Sequence, residues 1–79
     1  MTIKSSKPVE YKITDYKGNE SVLTGYKSLR KNIYGNWKGY IGRNDVEMFA
    51  SAFDAAHWFL GYDCGAEDIT NFLKLNNMH

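Results

Sequence analysis

Seventy-nine residues carrying ten Lys and Arg against nine Asp and Glu, a formal charge of +1, suffice for one small domain with a thin core. That length leaves no room for a catalytic domain beside a cofactor domain, and the single cysteine, Cys64, excludes an intramolecular disulfide, a redox CxxC and a zinc tetrad. The near-zero total hides a split: up to Arg43 nine Lys and Arg face three acids, a net of +6, and from Asn44 onward six acids face Lys74 alone, a net of −5.

Residues 1–7 are polar and run into Pro8, the pattern of a flexible N-terminal tail ahead of a single domain over residues 8–79. They lack the apolar stretch of a signal peptide, and no window of the chain approaches a membrane span. A soluble cytoplasmic protein in reducing surroundings is expected. Val9, Tyr11 and Ile13 alternate with Glu10, Lys12 and Thr14, which predicts a half-buried strand over 9–15. Tyr16-Lys17-Gly18-Asn19 is a turn by its Gly and Asn. A second strand follows over 21–31, in which the apolar residues change parity across Gly25, so a bulge is expected there. The facing of Lys27, Leu29 and Arg30 stays open at this level.

Asn32 to Asn36 hold the next turn, and a third strand over 37–42 sets Trp37 and Ile41 on the face opposite Lys38 and Tyr40. Gly42-Arg43-Asn44-Asp45 reads as a hairpin loop before a short fourth strand over 46–50. Helical signals then take over. Ser51 is placed to cap a helix with Asp54 three residues on, Ala52, Ala55, Ala56, Phe59 and Leu60 form its apolar stripe, and Gly61 ends it. Phe53 and Trp58 widen that stripe, so a second element must cover its far side. Ala66-Glu67-Asp68 opens that second helix with acids suited to the helix dipole, and Ile69, Phe72 and Leu73 face inward. The predicted class is α+β: a four-stranded antiparallel sheet followed by two helices packed on one face, with Trp37, Ile41, Ala55, Phe59, Ile69 and Phe72 buried between the layers.

Residues 26–43 interleave five basic side chains with four aromatics and contain no acid. Cations that pair with phosphate and rings that stack suit nucleic acid, or the machinery that handles it. An ordinary half-buried strand with a solvated outer face gives the same alternation. The candidate binding residues are Lys27, Arg30, Lys31, Tyr34, Lys38, Tyr40 and Arg43. A protein that binds free duplex DNA is more often basic overall, so the balanced total points to another kind of partner. Catalysis has little to rest on: His57 and Cys64 suggest a base and a thiol with no third group, and Asp63, Cys64, Glu67 and Asp68 include acids that a helix N-terminus explains without a metal. The seven glycines are scattered rather than gathered before a helix, so there is no phosphate loop. No enzyme, cofactor or metal is expected.

Two family resemblances meet in these residues. Tyr26-Lys27-Ser28-Leu29-Arg30, then Tyr34-Gly35-Asn36-Trp37 and Ile41, with Phe49-Ala50-Ser51-Ala52-Phe53-Asp54-Ala55-Ala56-His57-Trp58-Phe59 after a shortened hairpin, resembles the plant ethylene-response-factor type DNA-binding domain over less than half the chain. That resemblance implies a sheet lying in the major groove, with Lys27, Arg30, Asn32, Tyr34, Tyr40 and Gly42 at contacting positions, several without the arginine the family uses to read guanine. Phe49-x-Ser51, Trp58-Phe59-x-Gly61, the length and the ββββαα order make the whole chain similar to a small phage-encoded type I-F anti-CRISPR protein. This second resemblance implies an inhibitor without chemistry, whose exposed sheet face binds a backbone subunit of the CRISPR surveillance complex and prevents target hybridisation. The expectation is a non-enzymatic phage-type inhibitor acting in host cytoplasm on a protein or ribonucleoprotein complex of a defence system. The alternative is a small DNA-binding protein. A dimer paired through an edge strand is also open, and no membrane contact is expected.

Overall fold

The computed structural model describes residues 2–78, in the order β1 (Thr2–Thr14), β2 (Glu20–Lys31), β3 (Trp37–Ile41), β4 (Asn44–Phe49), α1 (Ala52–Leu60) and α2 (Ala66–Leu75). The strands form one antiparallel sheet in the order β1-β2-β3-β4, so every neighbour in sequence is a neighbour in space. The α+β architecture expected from the alternation is the one observed. None of the described helices is long and apolar enough to cross a membrane.

Register fixes the two faces of the sheet. Leu29 stands opposite Gly39, Lys31 opposite Trp37 and Trp37 opposite Phe49, and this face receives α1, which lies across β2, β3 and β4. Gly39 is required by that packing: a Cβ there would come within 2.9 Å of the Trp58 ring. Trp58 is further wedged edge-on against Tyr11, with centroids 6.2 Å apart, and tilted on Phe49 at 5.5 Å. Leu29, Trp37, Ile41, Phe49, Ala55 and Trp58 thus form one buried cluster. α2 packs on α1, burying Ile69 and setting Phe72 against Phe59 at 5.2 Å. Of the six residues expected in the core, Trp37, Ile41, Ala55 and Ile69 are buried, and Phe59 and Phe72 are half-buried against the cluster.

The ends of the helices follow local rules. Ser51 Oγ accepts the Asp54 N–H as the expected N-cap. α2 closes with Asn77 at φ 52°, the Asn77 N–H donating to the Lys74 carbonyl and the Met78 N–H to the Leu73 carbonyl. This is a Schellman closure, and it drops Met78 into the core.

Three local expectations are corrected. The loose tail over residues 1–7 is, within the described residues, the first half of β1: Ile3 pairs with Leu29 and is buried, with Thr2 and Lys4 alternating outward. The irregularity expected at Gly25 lies in the facing strand, between Lys4 and Pro8, where Ser5 Oγ accepts the Lys27 N–H and Pro8 sits on an edge strand. β2 therefore keeps a single parity, with Leu23 and Leu29 toward the helices and Val22 and Tyr26 away. Gly25 has another cause, because a Cβ on it would meet the Gly42 nitrogen at 2.9 Å. Finally, the hairpin loop at 42–45 shrinks to Gly42-Arg43, with Gly42 at φ 60° as a type II′ turn requires, and β4 begins at Asn44 with Val46 as the extra residue of a bulge.

Candidate functional site

The face of the sheet turned away from the helices is uncovered. Ser28 opposite Tyr40, Arg30 opposite Lys38, Lys38 opposite Met48, and Lys4 opposite Ser28 define it. The Arg30 guanidinium lies over the Tyr40 ring at 4.9 Å, and the Lys4 ammonium over the Tyr26 ring at 4.7 Å. These contacts lay long cationic side chains along the sheet. Met48 is 63% exposed and Tyr26 41%, so the face presents apolar surface between its charges.

At one end of this face is a shallow basin of about 350 Å³ lined by Thr2, Lys4, Tyr26, Ser28, Arg30, Gly42 and Arg43. No acid lines it. The nearest acid in register on this face, Asp45, pairs with the Lys38 ammonium, and its accepted hydrogen bond holds Lys38 above the ordinary lysine range. Further along the β1–β2 ribbon the same face carries Glu10, Lys12 and Glu20, with Lys12 and Glu20 joined at 2.9 Å. Unpaired positive charge is therefore gathered at the basin. A second hollow of about 300 Å³, lined by Gly35, Asn36, Trp37, Phe49, Ala50, Ser51 and Ala52, holds no charged side chain.

The residues singled out from sequence divide. Arg30, Lys38, Tyr40 and Arg43 belong to the open face or its rim. Lys27 does not: its Nζ reaches the helix side, donates to the Trp58 carbonyl at 2.8 Å and lies 4.7 Å from the Trp58 ring centroid. It satisfies a carbonyl at the C-terminal end of α1, and burial lowers its pKa from the ordinary value. Lys31 shares the helix-side parity, beside Trp37 at the sheet end. Tyr34 is 82% exposed in the β2–β3 turn, apart from the basin. Lys4, Tyr26, Ser28 and Met48 were missed. Ile3 flanked by Thr2 and Lys4 was the available signal for the first of these, and the shared parity of Tyr26, Ser28 and Arg30 for the next two.

Among the described residues, no three His, Cys, Asp or Glu side chains gather as a metal ion would need. His57 is half-buried between the rings of Phe53 and Tyr62, and Cys64 is a free, half-buried thiol. Comparison of the chain with protein-family models, with curated proteins and with solved structures finds no match in any of the three.

Proposed function

We propose that this protein is a non-enzymatic inhibitor that docks its open sheet face on a nucleic-acid-handling complex, a CRISPR surveillance complex before others, and blocks binding of the nucleic-acid target. The observation that carries the reading is the uncovered face itself: a sheet surface on which Tyr26, Tyr40 and Met48 are framed by Lys4, Arg30 and Arg43. Half-exposed rings and arginines on a preformed surface are the usual anchors of an interface. The resemblance in Phe49-x-Ser51 and Trp58-Phe59-x-Gly61 supports the same reading. A basic face does not imitate DNA. It suits an acidic part of the complex, a protein patch or the nucleic acid that the complex carries.

A major-groove reader is the second reading, favoured by unpaired Arg30 and Arg43 on one face. Three of the six contacting positions implied by that resemblance are engaged otherwise. Lys27 caps α1, Asn32 Oδ1 accepts the backbone N–H groups of Tyr34 and Asn36, and Gly42 makes a turn.

The test is a Tyr40→Thr, Met48→Glu double variant, which changes the centre of the open face at two residues that do not line the basin, although loss of the Tyr40 ring also frees the Arg30 side chain laid on it. Each surface change of this kind moves stability by under about 0.5 kcal/mol, so the pair should shift melting by no more than about 4 to 8 °C. The wild type should co-purify with a cognate surveillance complex and prevent its capture of target DNA, and the variant should not. A folded variant that inhibits equally well would remove the open face as the docking surface. Submicromolar, salt-dependent duplex binding with no effect on any such complex would move the assignment to the DNA reader.

A further inference from the structure

We infer that the basin formed by Lys4, Arg30 and Arg43 seats the phosphodiester backbone of one single nucleic-acid strand; the inference rests on the docking reading above and names what the basic end of that surface holds. The three cations come from β1, from β2 and from the β3–β4 turn, so their spacing is set by the sheet rather than by one mobile segment. Lys4 and Arg30 are already laid on tyrosine faces, which reduces the rotamer freedom they would lose on binding. Guanidinium forks match phosphate oxygens, and a phosphodiester keeps its charge at every physiological pH. Among the described residues no acid lines the basin, so no carboxylate within it competes with a phosphate for these cations.

Charge placement limits the ligand to one strand. Beyond the basin the open face is neutralised in both directions, by Asp45 on Lys38 toward β4 and by Glu10, Glu20 and their neighbour Lys12 along the ribbon. A duplex brings a second phosphate backbone, and among the described residues the register shows no second row of unpaired cations on the open face to meet it. Recognition is led by phosphate rather than by bases, since the faces of Tyr26 and Tyr40 are occupied by Lys4 and Arg30. An acidic peptide is the competing occupant. Peptides gain main-chain hydrogen bonds by adding to a sheet edge, whereas this basin opens on the sheet face, where a peptide backbone would find no partners.

The purified full-length protein would be titrated against a fluorescent twelve-residue oligouridylate in a salt series. Three phosphates neutralised on a single strand should give a log-log slope of about −2, at about −0.7 per phosphate. Lys4→Gln with Arg43→Gln should weaken binding at least about tenfold and bring the slope near −0.7, with melting unchanged. A ligand-side control is independent of folding: a strand with neutral methylphosphonate linkages should not bind. Oligoglutamate of equal length should fail to compete, and a duplex should bind no more tightly than the strand. Absence of strand binding at low salt, unchanged binding by the folded double variant, or full competition by oligoglutamate would each overturn the inference. None of these would touch the docking reading, which is read at Tyr40 and Met48 on the intact complex.

Discussion

Two turns of this protein have the same construction and different surroundings. In the β1–β2 turn, the Asp15 N–H donates to the Asn19 carbonyl, the Gly18 N–H to the Asp15 carbonyl, and Asp15 Oδ1 accepts the N–H groups of Lys17 and Asn19. In the β2–β3 turn, Asn32, Tyr34, Gly35 and Asn36 repeat every one of these bonds at corresponding positions, and Gly18 and Gly35 share φ 85°. Each is a three-residue hairpin loop closed by an Asx side chain. The difference lies in what stands behind them. The β2–β3 turn leads directly into Trp37, which is 4% exposed, whereas residues 15–19 are all exposed at the end of a ribbon whose β2 half pairs only with β1. A two-stranded ribbon is marginal alone, so the same turn chemistry closes a cooperative body in one place and, in the other, the tip of a ribbon expected to open separately beyond Val9, Tyr11 and Leu23, which pack against the core.

Trp37→Ala attacks that difference most strongly. Loss of a buried Trp costs about 3 to 5 kcal/mol, a large fraction of the stability of a domain this small. Urea unfolding should show the whole chain destabilised, with the sheet and both helices lost together. A variant in which only the β2–β3 turn loosens while the helices stay docked would show that Trp37 is not the anchor of that turn.

Matched glycine substitutions sharpen the comparison. A Cβ at Gly18 or Gly35 meets nothing within 4 Å, so Gly18→Ala and Gly35→Ala carry the same local strain and no clash. The left-handed conformation costs a residue with a Cβ about 1 to 2 kcal/mol. For Gly35 that cost should appear as lost global stability. For Gly18 most of it should appear as faster amide exchange in the ribbon, with a smaller change in melting temperature. Equal melting losses would show that ribbon and body unfold as one unit.

The sequence carried most of the body and little of what joins its ends. Alternation exposed β3, capping grammar placed Ser51, and Gly61 marked the end of α1, because each of these signals is local. Ile3 and Met78 escaped, since a lone apolar residue near a chain end has no periodicity and gains meaning only from Leu29 and from the Schellman closure. The site was half legible for the same reason. Arg30, Lys38, Tyr40 and Arg43 fall on strands or a turn whose pattern is explicit, but the facing of Lys27 depended on where the bulge lay, and the bulge belongs to β1, 22 residues away through the Ser5 contact. Lys4 could join the basin only once the supposed tail became a strand.

The smallest predicted effect isolates the difference at the position that closes the two turns, a carboxylate at 15 where 32 has an amide. The Asn19 N–H, and then that of Lys17, hold the Asp15 carboxyl below the ordinary aspartate range despite an opposing contribution from desolvation. A carboxyl whose folded pKa is depressed contributes its stability above the unfolded value, about pH 4, and loses it as pH falls through the folded value. The Lys17 and Asn19 amide resonances should therefore hold steady from neutral pH to about pH 5 and shift below about pH 4. Those of Tyr34 and Asn36, facing an amide that does not titrate, should stay in place until the body itself unfolds. Asp15→Asn should remove the ribbon's response and make the two turns behave alike in acid. Were Tyr34 and Asn36 to move together with Lys17 and Asn19 at every pH, the ribbon would have no equilibrium of its own.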